Sequence, residues 1–192
     1  MTAAEHWDFV SEEDYLRGEL LAEQKHEYVG GVVYVMAGGR IQHNDIAGNV
    51  FGSLFSRLRG GPCKPQNSNT KVRIRLATGT RFYYPDTMVV CRSNPKEDTF
   101  QDEPVLIAEV LSESTRRIDE GEKKDAYLTI SSLGVYLMVE QERPLAVAMA
   151  RTPNGFERTV YKGLDAIVPL PDLETELPLA EIYEGADFSE ST

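Results

Sequence analysis

The run from Val105 to Leu111 is apolar except for one residue, Glu109. A carboxylate in a strand covered on both faces is costly unless something compensates it. A structural ion pair is one compensation, and a metal ion is the other. A second acid, Asp86, follows Pro85 and precedes the apolar stretch Thr87 to Val90. By itself Asp86 reads as a turn or edge residue. The two acids are 23 residues apart on consecutive candidate strands. If those strands pair, both carboxylates reach one hard cation. Mg²⁺ or Mn²⁺ takes ligands of this kind, with water and a phosphate oxygen completing the shell. Asp119, Lys123 and Tyr127 then recur every four residues and share a helical face. A lysine turned toward the acids could bind a scissile phosphate or orient an attacking water. The same spacing also suits an ordinary surface ion pair between Asp119 and Lys123. Lys124 lies about 100° further round the helix and points elsewhere. Together these residue types suit metal-assisted phosphodiester hydrolysis.

The surrounding pattern supplies elements to hold them. Ser11 followed by Glu12, Glu13 and Asp14 predicts a helix start, with the helix ending by about Gln24. His26 to Val29, Gly30-Gly31 and Val32 to Met36 predict a β-hairpin. Ile46, Val50, Leu54 and Leu58 give one apolar stripe on a helix from Asn44 to Arg59. Val72, Ile74 and Leu76 alternate with Lys71, Arg73 and Arg75, which predicts a half-buried strand with a basic outer face. Phe82 to Cys91 reads as the next strand, irregular or at an edge because of Pro85. After the Glu109 strand comes a helix from Arg117 or Ile118 to about Ile130. Strands follow at Val135 to Val139, Leu145 to Ala150 and Phe156 to Tyr161. The segment after Gly163 is acidic and Pro-rich and reads as loop with a short helix near Leu179 to Tyr183. The order implies a single α/β (α+β) domain with a mixed sheet flanked by helices.

The chain has 192 residues, 41% apolar and 27% charged, an ordinary soluble balance. No apolar run approaches the roughly 20 residues that span a bilayer. Met1 to His6 show no basic-then-apolar leader, so a cytoplasmic protein without a membrane partner is expected. Cys63 and Cys91 are far apart and lack metal-ligand spacing, so two separate buried thiols are expected. Net charge is −11, which opposes phosphate binding. The charge is segregated, however. Between Asp45 and Asp86 there is no acid, whereas Arg57, Lys71, Arg73 and Arg75 are among the bases there. Beyond Lys162 there is no base. Arg57, Lys71, Arg73 and Arg75 are therefore candidates for nucleic-acid backbone contacts, and a merely solvated sheet face fits them nearly as well.

Pro85-Asp86, then Ile107-Ala-Glu109-Val-Leu-Ser112, then Asp119 to Tyr127 resembles the Uma2-type (DUF820) branch of the PD-(D/E)XK restriction-endonuclease-like proteins. Lys25-His-Glu27-Tyr-Val-Gly-Gly31, His43 and Tyr136 to Val139 extend the resemblance over roughly residues 7 to 185. It implies a restriction-endonuclease-like fold and Mg²⁺- or Mn²⁺-dependent cleavage of nucleic acid, DNA first. Asp86 and Glu109 would be the metal ligands, and Glu27 an extra acid. The superfamily's lysine normally sits two residues after the second acid; here that position is Leu111, and Lys123 on the next helix takes the place. The resemblance also implies a homodimer, with apolar edge strands near Leu145 to Ala150 as a candidate interface. Glu113 and Val135 depart from the family's pattern. Two other functions fit the same residues: a non-catalytic binding or assembly protein on the nuclease fold, and a small-molecule phosphodiesterase.

Overall fold

Ser11 accepts the Asp14 N–H and opens helix α1, Glu12–Glu19. The helix stops before the expected Gln24 because the Glu19 carboxylate turns to the next strand, accepting the His26 N–H. The computed structural model describes residues 9–36, 38–113 and 116–188. The reading of Met1 to His6 lies outside them. Strands β1, His26–Val29, and β2, Val32–Val35, form the predicted hairpin. Its two-residue turn needs positive φ twice, at Gly30 (56°) and Gly31 (103°). Helix α2, Ile41–Arg57, buries Ile46, Val50 and Leu54, as the four-residue spacing requires.

The strands then divide between two sheets. β3, Lys64–Asn67, and β4, Lys71–Leu76, are followed by β5, Gly79–Tyr83, and β6, Thr87–Val90. β7, Phe100–Gln101, and β8, Pro104–Leu111, come next. After the helical segment come β9, Val135–Glu140, β10, Leu145–Thr152, and β11, Gly155–Lys162. One sheet runs β2-β1-β5-β4-β7, and the other runs β11-β10-β9-β8-β6-β3. β8 and β9 are parallel in the centre of the second sheet. Phe82 to Cys91 is therefore not one strand. Tyr84, Pro85 and Asp86 carry the chain from the first sheet to the second, and Pro85 lacks the N–H that a continuous ladder would need.

Alternation along β8 sorts its residues into two cores. Leu106, Ala108 and Val110 pack with α2, while Ile107 and Leu111 pack toward the first sheet. A third cluster, Tyr15, Tyr28, Phe82 and Phe100, lies under α1. The second sheet is thus covered on both faces, as the apolar run of β8 implies.

Three expectations need correction. The segment after Gly163 is not mainly loop. It forms the hairpin of β12, Ile167–Leu170, and β13, Thr175–Pro178, and ends in helix α5, Leu179–Ile182. Val168, Leu170, Leu177, Leu179 and Ile182 bury into the α2 core, so enough apolar surface is covered to order this acidic stretch. The strand near Leu145 to Ala150 is not an edge, because β10 is paired on both sides. The cysteines are not separate thiols. Pairing of Lys64 with Val90 sets Cys63 beside Cys91, and the two form a disulfide. Closing a loop of 28 residues contributes about 3.5 kcal/mol in the chain-entropy account. Protein purified without reductant and then denatured is expected to show no thiol by colorimetric titration, and two after reduction. Two thiols before reduction would restore the sequence expectation.

Candidate active site

The register of β6 against β8 sets Thr87 opposite Ala108, which brings Asp86 beside Glu109. The backbone then locks the two acids together. Val110 N–H donates to Asp86 Oδ2 at 2.8 Å, and Asp86 N–H donates to Glu109 Oε2 at 3.1 Å. Glu109 is 4% exposed. It shares the face of Ile107 and Leu111, and Tyr127 donates to its Oε1 at 2.8 Å.

The helical segment after β8 is not one regular helix. It comprises α3, Arg116–Ile118, a π turn, Asp119–Lys123, and α4, Lys124–Tyr127. The turn is broken at Gly121, whose φ and ψ of −114° and −105° leave the helical region. This arrangement buries both Asp119 and Lys123, at 3% and 8% exposure. They are no surface pair. Lys123 Nζ lies 2.8 Å from Glu27 Oε1, 3.7 Å from Asp119 Oδ1 and 3.9 Å from Glu109 Oε1. Lys124 instead pairs with Asp125 at 3.7 Å. Glu27, Asp86, Glu109 and Lys123 therefore meet in one place, contributed by β1, the sheet crossing, β8 and the π turn.

Two further residues join them. Asp119 was legible only as a helical neighbour of Lys123. His43, in the first turn of α2, has Nε2 at 3.3 Å from Asp86 Oδ2. Its Nδ1 is buried without a hydrogen-bond partner among the described residues. No local signal in the sequence ties His43 to Asp86, because packing of α2 across β8 creates the contact.

The electrostatics are unbalanced toward negative charge. Burial pushes the Glu109 carboxyl well above the usual carboxylate range, and Asp86 and Asp119 add to the rise against the pull of Lys123. Burial works against the Lys123 ammonium, but Glu109, Glu27 and Asp119 outweigh it and hold its pKa above the ordinary lysine value. The hydrogen bond to Asp86 raises His43 despite burial. Four carboxylates thus face one lysine and one histidine. Oxygen donors with excess negative charge fit a hard divalent cation. Among the described residues no group of three or more His, Cys, Asp or Glu is arranged to hold a metal. A Mg²⁺ site needs only one or two carboxylates when water and a phosphate supply the rest, so Asp86 and Glu109 suffice.

The acids open onto a cleft of about 990 Å³, whose wall includes Lys25, Arg40, His43, Asp86 and Glu109. The expected basic face lies elsewhere. Arg57 donates two hydrogen bonds to the Glu181 carboxylate, at 2.6 and 2.5 Å. Lys71 is buried and donates to the Tyr84 hydroxyl at 3.1 Å. Arg73 grips both oxygens of Asp102, at 2.7 and 2.8 Å, and stacks on Phe100. Arg75 remains exposed. Of the β4 bases, one is held by an acid distant in sequence, one is buried and only Arg75 stays open, whereas the cations on the cleft wall are Lys25, Arg40 and Lys123.

A family model described as "Uma2: Putative restriction endonuclease" matches residues 12–180. Two proteins of Synechocystis sp. (strain ATCC 27184 / PCC 6803 / Kazusa) are similar. "Uncharacterized protein slr1290" is 35% identical over 131 residues, 68% of each chain. "Uncharacterized protein sll1609" is 32% identical over 131 residues, 67% of this chain and 73% of its own. A solved structure from Anabaena variabilis ATCC 29413, described as "a putative nuclease belonging to DUF820", superposes with a TM-score of 0.70. The match covers 85% of this chain and 92% of that one at 16% identity, a likeness of fold.

Proposed function

The chain belongs to the Uma2 family, and we propose that it is a metal-dependent endonuclease acting on DNA. The observation that carries this reading is the joining of Asp86, Glu109 and Lys123 in one buried cluster at the floor of the cleft. Asp86 and Glu109 would hold Mg²⁺ or Mn²⁺, which when bound polarises the phosphate and lowers the pKa of its water. Lys123 stabilises negative charge that develops on the phosphoryl oxygens. Glu27, also a candidate metal ligand, lies closest to Lys123 and orients its ammonium. Arg40 and Lys25 on the cleft wall contact flanking phosphates, with exposed Arg75 as a more distant contact. The backbone term carries no sequence preference. Cleavage of both strands of a duplex calls for two centres, so the working form is a homodimer. Among the described residues no helix is long and apolar enough to cross a membrane.

The test combines calorimetry with cleavage. Mn²⁺ is expected to bind the natural protein, and supercoiled plasmid to be cut only with divalent metal. Asp86→Asn is expected to lose both. Metal binding without cleavage of DNA, RNA or a small diester would favour the non-catalytic reading. Cleavage that survives Asp86→Asn and ignores chelation would sink the proposed chemistry.

A further inference from the structure

Strand β2 is the outer edge of the first sheet and pairs only with β1. Val29 and Val32 flank the two-residue turn, and Met36 N–H donates to Lys25 O at 2.9 Å. The alternation of an antiparallel ladder therefore aims the backbone groups of Val32, Tyr34 and Met36 at β1. It aims the N–H and C=O of Val33 and Val35 outward. Natural edges are blunted by Lys, Pro, bulges or covering elements. Here no charged residue and no proline occurs from Tyr28 to Gly39. Val35 is 61% exposed and Tyr34 52%. Leu20 and Leu21 extend the patch, since Glu19 beside them is bonded to His26, which stands opposite Val35. Val32, Tyr34 and Val35 of this one edge strand are all exposed. An exposed apolar edge of this kind marks an interaction surface.

We propose that β2 pairs antiparallel with β2 of a second copy about a twofold axis through Tyr34. The two five-stranded sheets then form one continuous sheet. Val33 of one copy lies opposite Val35 of the other, and their outward backbone groups bond to each other. Two features select a second copy as the occupant. Val33-Tyr34-Val35 reads the same in both directions, so a twofold pairing matches Val with Val and Tyr with Tyr. The patch is uncharged in a chain of net charge −11, so two copies meet here without opposing acids. The acidic C-terminal hairpin packs with α2 on the far face of the second sheet and stays clear.

The pairing has a consequence for the cleft. Tyr34 stands opposite Glu27 and shares its sheet face, the face that looks toward Lys123. An axis perpendicular to the sheet keeps both centres on that face. The two β1 strands are three strand spacings apart, about 14 Å. The inference deepens the dimeric reading above but does not depend on catalysis.

Sedimentation velocity of the full chain at tens of micromolar tests it. A dimer is expected, weakened at least tenfold by Val35→Lys, which alters an exposed position. Facing Tyr34 positions form a close, non-hydrogen-bonded pair, so the Tyr34→Cys variant is expected to cross-link to its own copy on mild oxidation. Ile167→Cys, exposed on the C-terminal hairpin, is expected to stay monomeric on a non-reducing gel. A natural protein that is monomeric throughout overturns the proposal. So does a dimer indifferent to Val35→Lys that leaves Tyr34→Cys uncrosslinked, because the occupant of β2 is then another segment. A monomer that still binds Mn²⁺ rejects the interface alone, and a dimer that binds no metal rejects the nuclease chemistry alone.

Discussion

Glu109→Gln is expected to lower metal-dependent cleavage by about 10³-fold while leaving the metal-free fold nearly as stable as before. The two halves of this result have one cause. The Glu109 charge is buried among Asp86, Asp119 and apolar neighbours, and Lys123 offsets only part of that cost, so it opposes folding until a further cation arrives. Glutamine removes the charge and keeps an acceptor for Tyr127, although the Asp86 N–H loses its own. One neutral hydrogen bond is worth about 1 kcal/mol, which the relieved charge offsets. The pH dependence gives a sharper sign. A carboxyl whose pKa is raised on folding binds more protons in the native state than in the unfolded one. Stability of the chelator-treated protein should therefore fall as pH rises from the ordinary glutamate value of 4.5 toward the raised folded value. Glu109→Gln should flatten that fall. Urea denaturation across this range, with and without Mn²⁺, measures both effects. Mn²⁺ should stabilise the natural protein and leave the variant unmoved. An identical pH slope in the two proteins would mean that Glu109 is not electrostatically strained.

Lys123→Ala is expected to cost more in stability than any exchange among the acids. It leaves Glu27, Glu109 and Asp119 facing one another, with the lysine charge gone from a side chain only 8% exposed. Removing one member of a buried charge group typically costs about 3–5 kcal/mol. For a chain of this size that lowers Tm by roughly 10 °C. Divalent metal should recover part of the loss, because a cation bound by the acids replaces some of the missing charge. Cleavage should not recover with it, since the phosphate loses its ammonium. Lys124→Ala serves as the control, with an effect inside about 0.5 kcal/mol, because its partner Asp125 is largely solvated. Equal effects of the two substitutions would remove Lys123 from the centre.

The sequence by itself determined what depends on neighbours along the chain. The four-residue stripe Ile46, Val50, Leu54 needs one buried helical face, and α2 has it. Gly30-Gly31 between two apolar runs needs a tight hairpin. The apolar run around Glu109 needs a strand covered on both sides, and a lone acid there needs a compensating partner, without saying which. Pro85 signalled a break, but the break is a change of sheet, which only the partners of β5 and β6 decide.

Tertiary structure alone decided the rest. Whether Arg57 and Arg73 are free to meet phosphate depends on Glu181 and Asp102, which lie 124 and 29 residues further along the chain. Whether Cys63 meets Cys91 depends on the register of β3 against β6. Whether Asp119 and Lys123 form a surface pair or a buried one depends on the π turn and on Glu27 arriving from β1. Periodic burial is a local property, because one chain segment meets one apolar surface. Neutralisation of a charge is a pairwise property, and its partner is set by how distant segments pack.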